Sequence, residues 1–146
     1  MPHLTTMIGA VSVATSCFAS VNSETGLIVG VIHTGVPLAT IEAPDTVRWG
    51  AAFGAVVNTF KSSSCSSPEG VKLTLRPAEA RVTPYDRVPA ETDDACTSDT
   101  SANAHPFTLR FRQLGVATIV AVGMVIDETS GQRKHGEVTK TVVVVP

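Results

Sequence analysis

The chain has 146 residues, of which 43% are apolar and 16% charged, with a mean hydropathy of +0.22. That length suits one domain of ordinary size, and the apolar share is too high for a disordered tail. The net charge of −2 comes from 11 basic and 13 acidic residues. With no basic patch interleaved with aromatics, nucleic acid is not an expected partner, and no apolar run reaches the roughly 20 residues that span a bilayer as a helix.

The first element is residues 7–16, "MIGAVSVATS", an uncharged apolar segment of signal-peptide length that runs into small residues and then Cys17. Ala14-Thr15-Ser16-Cys17 resembles the lipobox of bacterial lipoproteins, whose cysteine is lipidated and becomes the first residue after cleavage. Ala14 stands where Leu is usual, and the preceding "MPHLTT" lacks Lys and Arg. The resemblance implies a lipoprotein-type signal peptide over 1–16, a tether over 17–26 and a domain over 27–146. It further implies lipidation at Cys17 and a place in the bacterial cell envelope, periplasm or cell surface, with the membrane as partner through the anchor. An ordinary secretory signal, or an uncleaved N-terminus with a free thiol at Cys17, are the other readings of these residues.

Beyond the tether the chain is rich in Val, Thr, Ser, Ala and Gly, which favours strands over helices. Strands are expected over 27–33 ("LIVGVIH"), 38–43, 46–49 and 52–60, the last two separated by Gly50. In "VKLTLR", 71–76, Val71, Leu73 and Leu75 alternate with Lys72, Thr74 and Arg76. A short strand over 80–83 ends at Pro84, and a long polar loop follows over 86–105. "FTLRFR", 107–112, places Phe107, Leu109 and Phe111 inward and Thr108, Arg110 and Arg112 in water. The run 115–126 is long and apolar enough for a central strand; "DETSGQ" follows as a hairpin loop with Gly131 at a turn position, and 137–145 is the last strand. About eight strands, with period-2 alternation and no capped helix repeat, predict an all-β fold of two packed antiparallel sheets.

Three cysteines allow one bridge and a remainder. Cys65 ("KSSSCSSPEG") and Cys96 ("ETDDACTSD") both sit in polar loops, where free thiols are a liability outside the cell. A Cys65–Cys96 disulfide is expected, which leaves Cys17 for the lipid; two reduced thiols would instead fit a cytosolic chain. A metal site is not expected, because there is no CxxC and the histidines stand apart at 3, 33, 105 and 135. The loop 86–105 is long for a compact domain, and such loops are functional or disordered. Tyr85, Asp86, Asp93, Asp94 and Asp99 are its candidate binding residues; as a calcium site the acids lack the EF-hand pattern.

Two further runs carry a family resemblance. "IEAPDTVRWGAAFGAVVNTF" and "FTLRFRQLGVATIVAVG" resemble the A–B region and the E–F corner of bacterial immunoglobulin-like domains. With the lipobox-like start, the chain resembles uncharacterised bacterial lipoproteins carrying a single immunoglobulin-like β-sandwich. The cysteines lie in loops rather than in facing strands, and Trp49, the only tryptophan, sits near the first strands rather than in the third. No G-x-S-x-G or comparable nucleophile motif occurs, His105-Pro106 reads as a strand start, and no cofactor is implied. The expected function is a non-catalytic, lipid-anchored envelope binding or structural module, with another envelope protein as a candidate partner. The alternative is an accessory subunit of an envelope assembly that offers an apolar edge strand, 27–33 or 141–145.

Overall fold

In the computed structural model, the structure describes residues 26–32, 40–61, 63–88, 96–98, 101–127 and 129–146. Cys17, the signal-peptide segment, the tether up to residue 25, and Asp93, Asp94 and Asp99 lie outside them. Among the described residues nine strands form: β1 (Leu27–Val29), β2 (Ile41–Glu42), β3 (Thr46–Arg48), β4 (Phe53–Phe60), β5 (Ser67–Arg76), β6 (Glu79–Arg87), β7 (Ala102–Leu109), β8 (Gly115–Ile126) and β9 (Arg133–Val145). There is no helix among the described residues.

The strands form two sheets. The larger runs β1-β6-β8-β9-β3, with β5 on the other edge of β6, and the smaller runs β2-β4-β7. Their inner faces meet in one apolar cluster that includes Ala55, Val57 and Leu109 from the smaller sheet and Val82, Ile119 and Val142 from the larger. The alternation expected from the sequence sets this packing. Leu109 and Phe111 are buried while Arg110 and Arg112 are exposed, and Val71 and Leu73 pack against the core. Leu75 shares their face but is exposed, at the end of the sheet.

Two pairings differ from the antiparallel expectation. β6 lies parallel to β8 (Glu79↔Thr118 to Val82↔Ala121), and β3 lies parallel to β9 (Thr46↔Val143 to Arg48↔Val145). A parallel pair needs a long crossover, usually a helix. Between β6 and β8 the chain instead crosses to the smaller sheet and returns, so β7 takes the helix's place.

Two boundaries also move. β6 does not stop at Pro84 but continues to Arg87. On its inner edge it pairs β8 through Val82 and β1 from Tyr85, so the missing Pro84 N–H falls between the two ladders, where the Pro84 carbonyl accepts from the Gly30 N–H (2.9 Å). β7 begins at Ala102 rather than after His105, and Pro106 is tolerated on this edge strand. The expected 86–105 loop therefore loses both ends to strands.

Of the two apolar segments expected as edge strands, 27–33 does supply an end strand, β1, and 141–145 does not. Residues 27–32 pair with β6 and form bridges from Val31 to Met124 and to Phe60, linking the two sheets. Residues 141–145 lie in β9, between β8 and β3. The β8–β9 hairpin loop does form as expected. The Asp127 carboxylate accepts from the Thr129 and Ser130 N–H groups (2.9 and 3.0 Å), and Gly131 takes the turn at φ 67°.

Candidate functional site

Along three strands, the inner face changes from apolar to polar at the same end of the sandwich. On β6 the inward residues run Ala80, Val82, Pro84 and then Asp86; on β4 they run Ala55, Val57 and then Thr59. β7 supplies the partners of β4, since Val57 stands opposite His105 and Thr59 opposite Asn103. The ladder thus fixes Thr59, Asn103 and His105 side by side, and Asp86 faces them from the other sheet. All four are at most 4% exposed.

The hydrogen bonds close on Asp86. Thr59 Oγ1–H donates to Asp86 Oδ2 at 2.7 Å, and Asn103 Nδ2–H donates to Asp86 Oδ1 at 2.7 Å and to Ser66 Oγ at 3.1 Å. His105 Nε2 lies 3.0 Å from Thr59 Oγ1 and 3.2 Å from Asp86 Oδ1. The one Thr59 proton is already committed to Asp86, so both contacts require the hydrogen on Nε2. His105 Nδ1 is buried and has no partner among the described residues. Burial alone would push the Asp86 carboxyl up; hydrogen bonds from His105, Thr59 and Asn103 more than offset it and hold the group below its ordinary value.

A hydroxyl, an imidazole and a carboxylate in contact raise the question of a catalytic triad. In a triad the imidazole uses one nitrogen for the nucleophile and the other for the acid. Here Nε2 engages both, so the ring is not placed to relay a proton between them. The cluster instead ties β4 and β7 of one sheet to β6 of the other. Gly30 packs directly on it: a Cβ there would collide with Thr59 Cγ2 and come within 3.0 Å of Asp86 Oδ2.

The disulfide closes the same end. Cys65 and Cys96 are bonded, with Cα atoms 5.5 Å apart and a sequence separation of 31, as expected from the two polar loops. Ser64 joins the two loops, and Ser63 braces the turn at Cys65. Ser64 N–H donates to Thr97 O (2.9 Å), Thr97 N–H donates to Ser64 Oγ (2.9 Å), and Cys65 N–H donates to Ser63 Oγ (3.2 Å). Ser66, next to the bridge, accepts from Asn103, so staple and cluster are continuous.

Of the candidate binding-loop residues, Tyr85 and Asp86 are the two among the described residues. Tyr85 is half-buried on the outer side of β6, while the Asp86 carboxylate points inward and is fully engaged. Asp86 and Ser66 do help line a cavity of about 180 Å³ with Ile28, Val31, Phe60 and Val88. That is smaller than a usual small-molecule site of roughly 300–1,000 Å³. No group of three or more His, Cys, Asp or Glu able to hold a metal occurs among the described residues. Sequence reading missed Thr59, Asn103, His105 and Ser66. The available signal was the period-2 run Asn103, His105, Phe107, Leu109, whose first two members are polar. In comparisons with known proteins, no family model, curated protein or solved structure matches the chain.

Proposed function

We propose that this chain is a non-catalytic module of the bacterial cell envelope, an immunoglobulin-like β-sandwich held at the membrane by a lipid on Cys17. The observation that carries the reading is the Cys65–Cys96 bridge. Structural disulfides persist in oxidising compartments, and this one leaves Cys17 as the single cysteine available for another chemistry. The buried cluster supports the same reading, because its hydroxyl and carboxylate are used up in joining the sheets. The immunoglobulin kinship is proposed at the level of the two-sheet sandwich. The parallel β6–β8 neighbours depart from the antiparallel sheets of an antibody domain.

For the accessory-subunit alternative, β1 is still an end strand of the larger sheet, and β5 is another. The outer edge of β5 has no strand partner among the described residues. It carries Pro68, Lys72 and a register shift between Pro68 and Gly70, all features that discourage strand addition.

Intact mass of the full chain from the membrane fraction of a bacterial host tests the proposal. A product that begins at Cys17 with acyl mass, and gains two thiols on reduction, supports it. A soluble chain that keeps Met1 and alkylates at three cysteines without reductant removes the anchor and the envelope assignment together.

A further inference from the structure

The end of the sandwich away from the disulfide is built from three chain reversals: Trp49-Gly50 between β3 and β4, Pro77-Ala78 between β5 and β6, and residues 110–114 between β7 and β8. Backbone hydrogen bonds lock them together. Trp49 N–H donates to Val145 O (2.7 Å), Gly50 N–H to Phe111 O (2.9 Å) and Arg112 N–H to Pro77 O (3.3 Å). Phe111 is 1% exposed and packs on Phe53 with ring centroids 5.7 Å apart. With Phe111 directed into the core, its neighbours Arg110 and Arg112 both turn outward. These two arginines, Trp49 and Gly50 line a notch of about 220 Å³. Gly50 takes φ +69°, and nothing lies within 4 Å of where a Cβ would stand, so the notch is open there.

The surroundings of this notch are unusual in two respects. Of the six large hydrophobics that are exposed among the described residues, five lie at this end: Trp49, Leu75, Leu114, Val116 and Val143. Arg110, Arg112 and neighbouring Arg48 have no ion-pair partner among the described residues, whereas Asp45 is held by Lys140 and Glu79 by Arg76. The end is thus apolar with uncompensated positive charge. Trp and Arg are also the residue types that dominate binding hot spots, and a guanidinium fork matches a carboxylate in two-point contact.

We propose that the Trp49–Arg110–Arg112 notch docks an acidic peptide segment of a partner protein. A carboxylate sits between Arg110 and Arg112, and an adjacent apolar side chain lies against Trp49 and the exposed Leu114. The proposal does not depend on the lipid anchor. Residue 26 joins the fold beside Val88, at the opposite end (Val88 N–H to Gly26 O, 3.0 Å), so an N-terminal tether would leave the notch facing away from its membrane.

Trp49 is the only tryptophan, so its fluorescence reports on the notch directly. The purified full chain is titrated with a synthetic peptide of alternating Glu and Leu, with the same peptide carrying Gln for Glu, with inorganic phosphate, and with phosphatidylglycerol vesicles. The expected result is a saturable shift with the acidic peptide, with a midpoint on the order of 100 µM for so small and open a contact. The R110E/R112E chain should bind at least about tenfold more weakly, with an unchanged unfolding midpoint, because both side chains are exposed. The proposal is overturned by no saturable response to the acidic peptide, by an equal response to the Gln peptide, or by full binding in R110E/R112E. A response to phosphate as strong as that to the peptide would reduce the notch to a simple anion site. A response to vesicles alone would make it a membrane contact. Either outcome also overturns peptide docking.

Discussion

The two ends of the sandwich interior are filled in opposite ways. Near Trp49, the space between the sheets holds Phe111, Leu109, Ala117, Val142 and Val144, all at most 2% exposed. Near the disulfide, the same layer holds Thr59, Asp86, Asn103 and His105, equally buried. The apolar end is held by area and shape, and tolerates apolar residues of suitable volume best. The polar end is held by direction. Moving β6 by one residue relative to β4 and β7 would turn Asp86 outward and leave the Thr59 hydroxyl, the Asn103 amide and His105 without their acceptor. The apolar end supplies most of the drive to collapse, and the polar end selects the register in which collapse can finish.

The largest effect should come from the apolar end. Phe111→Ala removes a fully buried ring that contacts Phe53, and should lower the unfolding free energy by about 3–5 kcal/mol. Urea denaturation followed by far-ultraviolet circular dichroism gives the number; a loss below about 1 kcal/mol would mean that the end repacks easily and does not carry the fold.

The disulfide comes next. Its 31-residue spacing corresponds to about 3–4 kcal/mol in the chain-entropy account, whose physical basis is contested. Cys65→Ser with Cys96→Ser should therefore cost slightly less than Phe111→Ala, and the loss should be uneven. Amide exchange should accelerate at the end of β4 and the start of β7, while the strands around Phe111 stay protected. Uniform acceleration over both ends would contradict the division into two regions.

Asp86→Asn is a smaller and more local change. The amide is nearly isosteric, but its NH₂ cannot accept the hydrogen bond from Asn103 or Thr59 that the carboxylate oxygen in that place accepts. A cost of about 1–3 kcal/mol is expected in denaturant unfolding. Asp86→Asn and Thr59→Val should be non-additive by about 0.5 kcal/mol or more, whereas Asp86→Asn and Phe111→Ala, at opposite ends, should add. Additivity in the first pair would mean that the observed contact carries no coupling.

The contrast between the ends also explains what could be read from the sequence. At the apolar end, inward residues are apolar and outward ones polar, so Leu109/Arg110/Phe111/Arg112 gives its own orientation. The disulfide was legible because Cys65 and Cys96 are the only pair outside the apolar start of the chain. The polar end was not legible. Asn103, His105 and Asp86 occupy inward positions, and the hydrophobic period on which strand assignment rests cannot register a polar residue as buried. As a result residues 102–105 and Asp86-Arg87 read as the two ends of a loop, although both continue strands. The parallel β6–β8 pairing was hidden for another reason. It depends on β7 crossing to the other sheet, and no local pattern in β6 or β8 records where the intervening strand goes.

The smallest effect, and the most discriminating, is the response to acid. The Asp86 carboxyl is held below its ordinary value in the folded chain, and returns to roughly 3.9 on unfolding. A group lowered in this way contributes stability that is fully present above its unfolded value and is lost as the pH falls through its folded value. Three surface acids share the sign. Asp45 is lowered by its hydrogen bond and charge contact with Lys140, Glu69 by its hydrogen bond with Arg87, and Asp127 by the Ser130 and Thr129 N–H groups. The two exposed ion pairs are screened by salt, whereas the buried Asp86 contacts are not. Unfolding free energies are therefore to be compared between the native chain and D86N, from neutral pH down to about pH 3, in about 0.5 M salt. The native chain should lead D86N by a constant margin above about pH 4 and lose that margin below it, since protonation removes from Asp86 what the Asn lacks already. If the margin held down to about pH 3, or widened, Asp86 would not be the ionised centre of the polar end, and the register argument would have to rest on Asn103 and Ser66 instead.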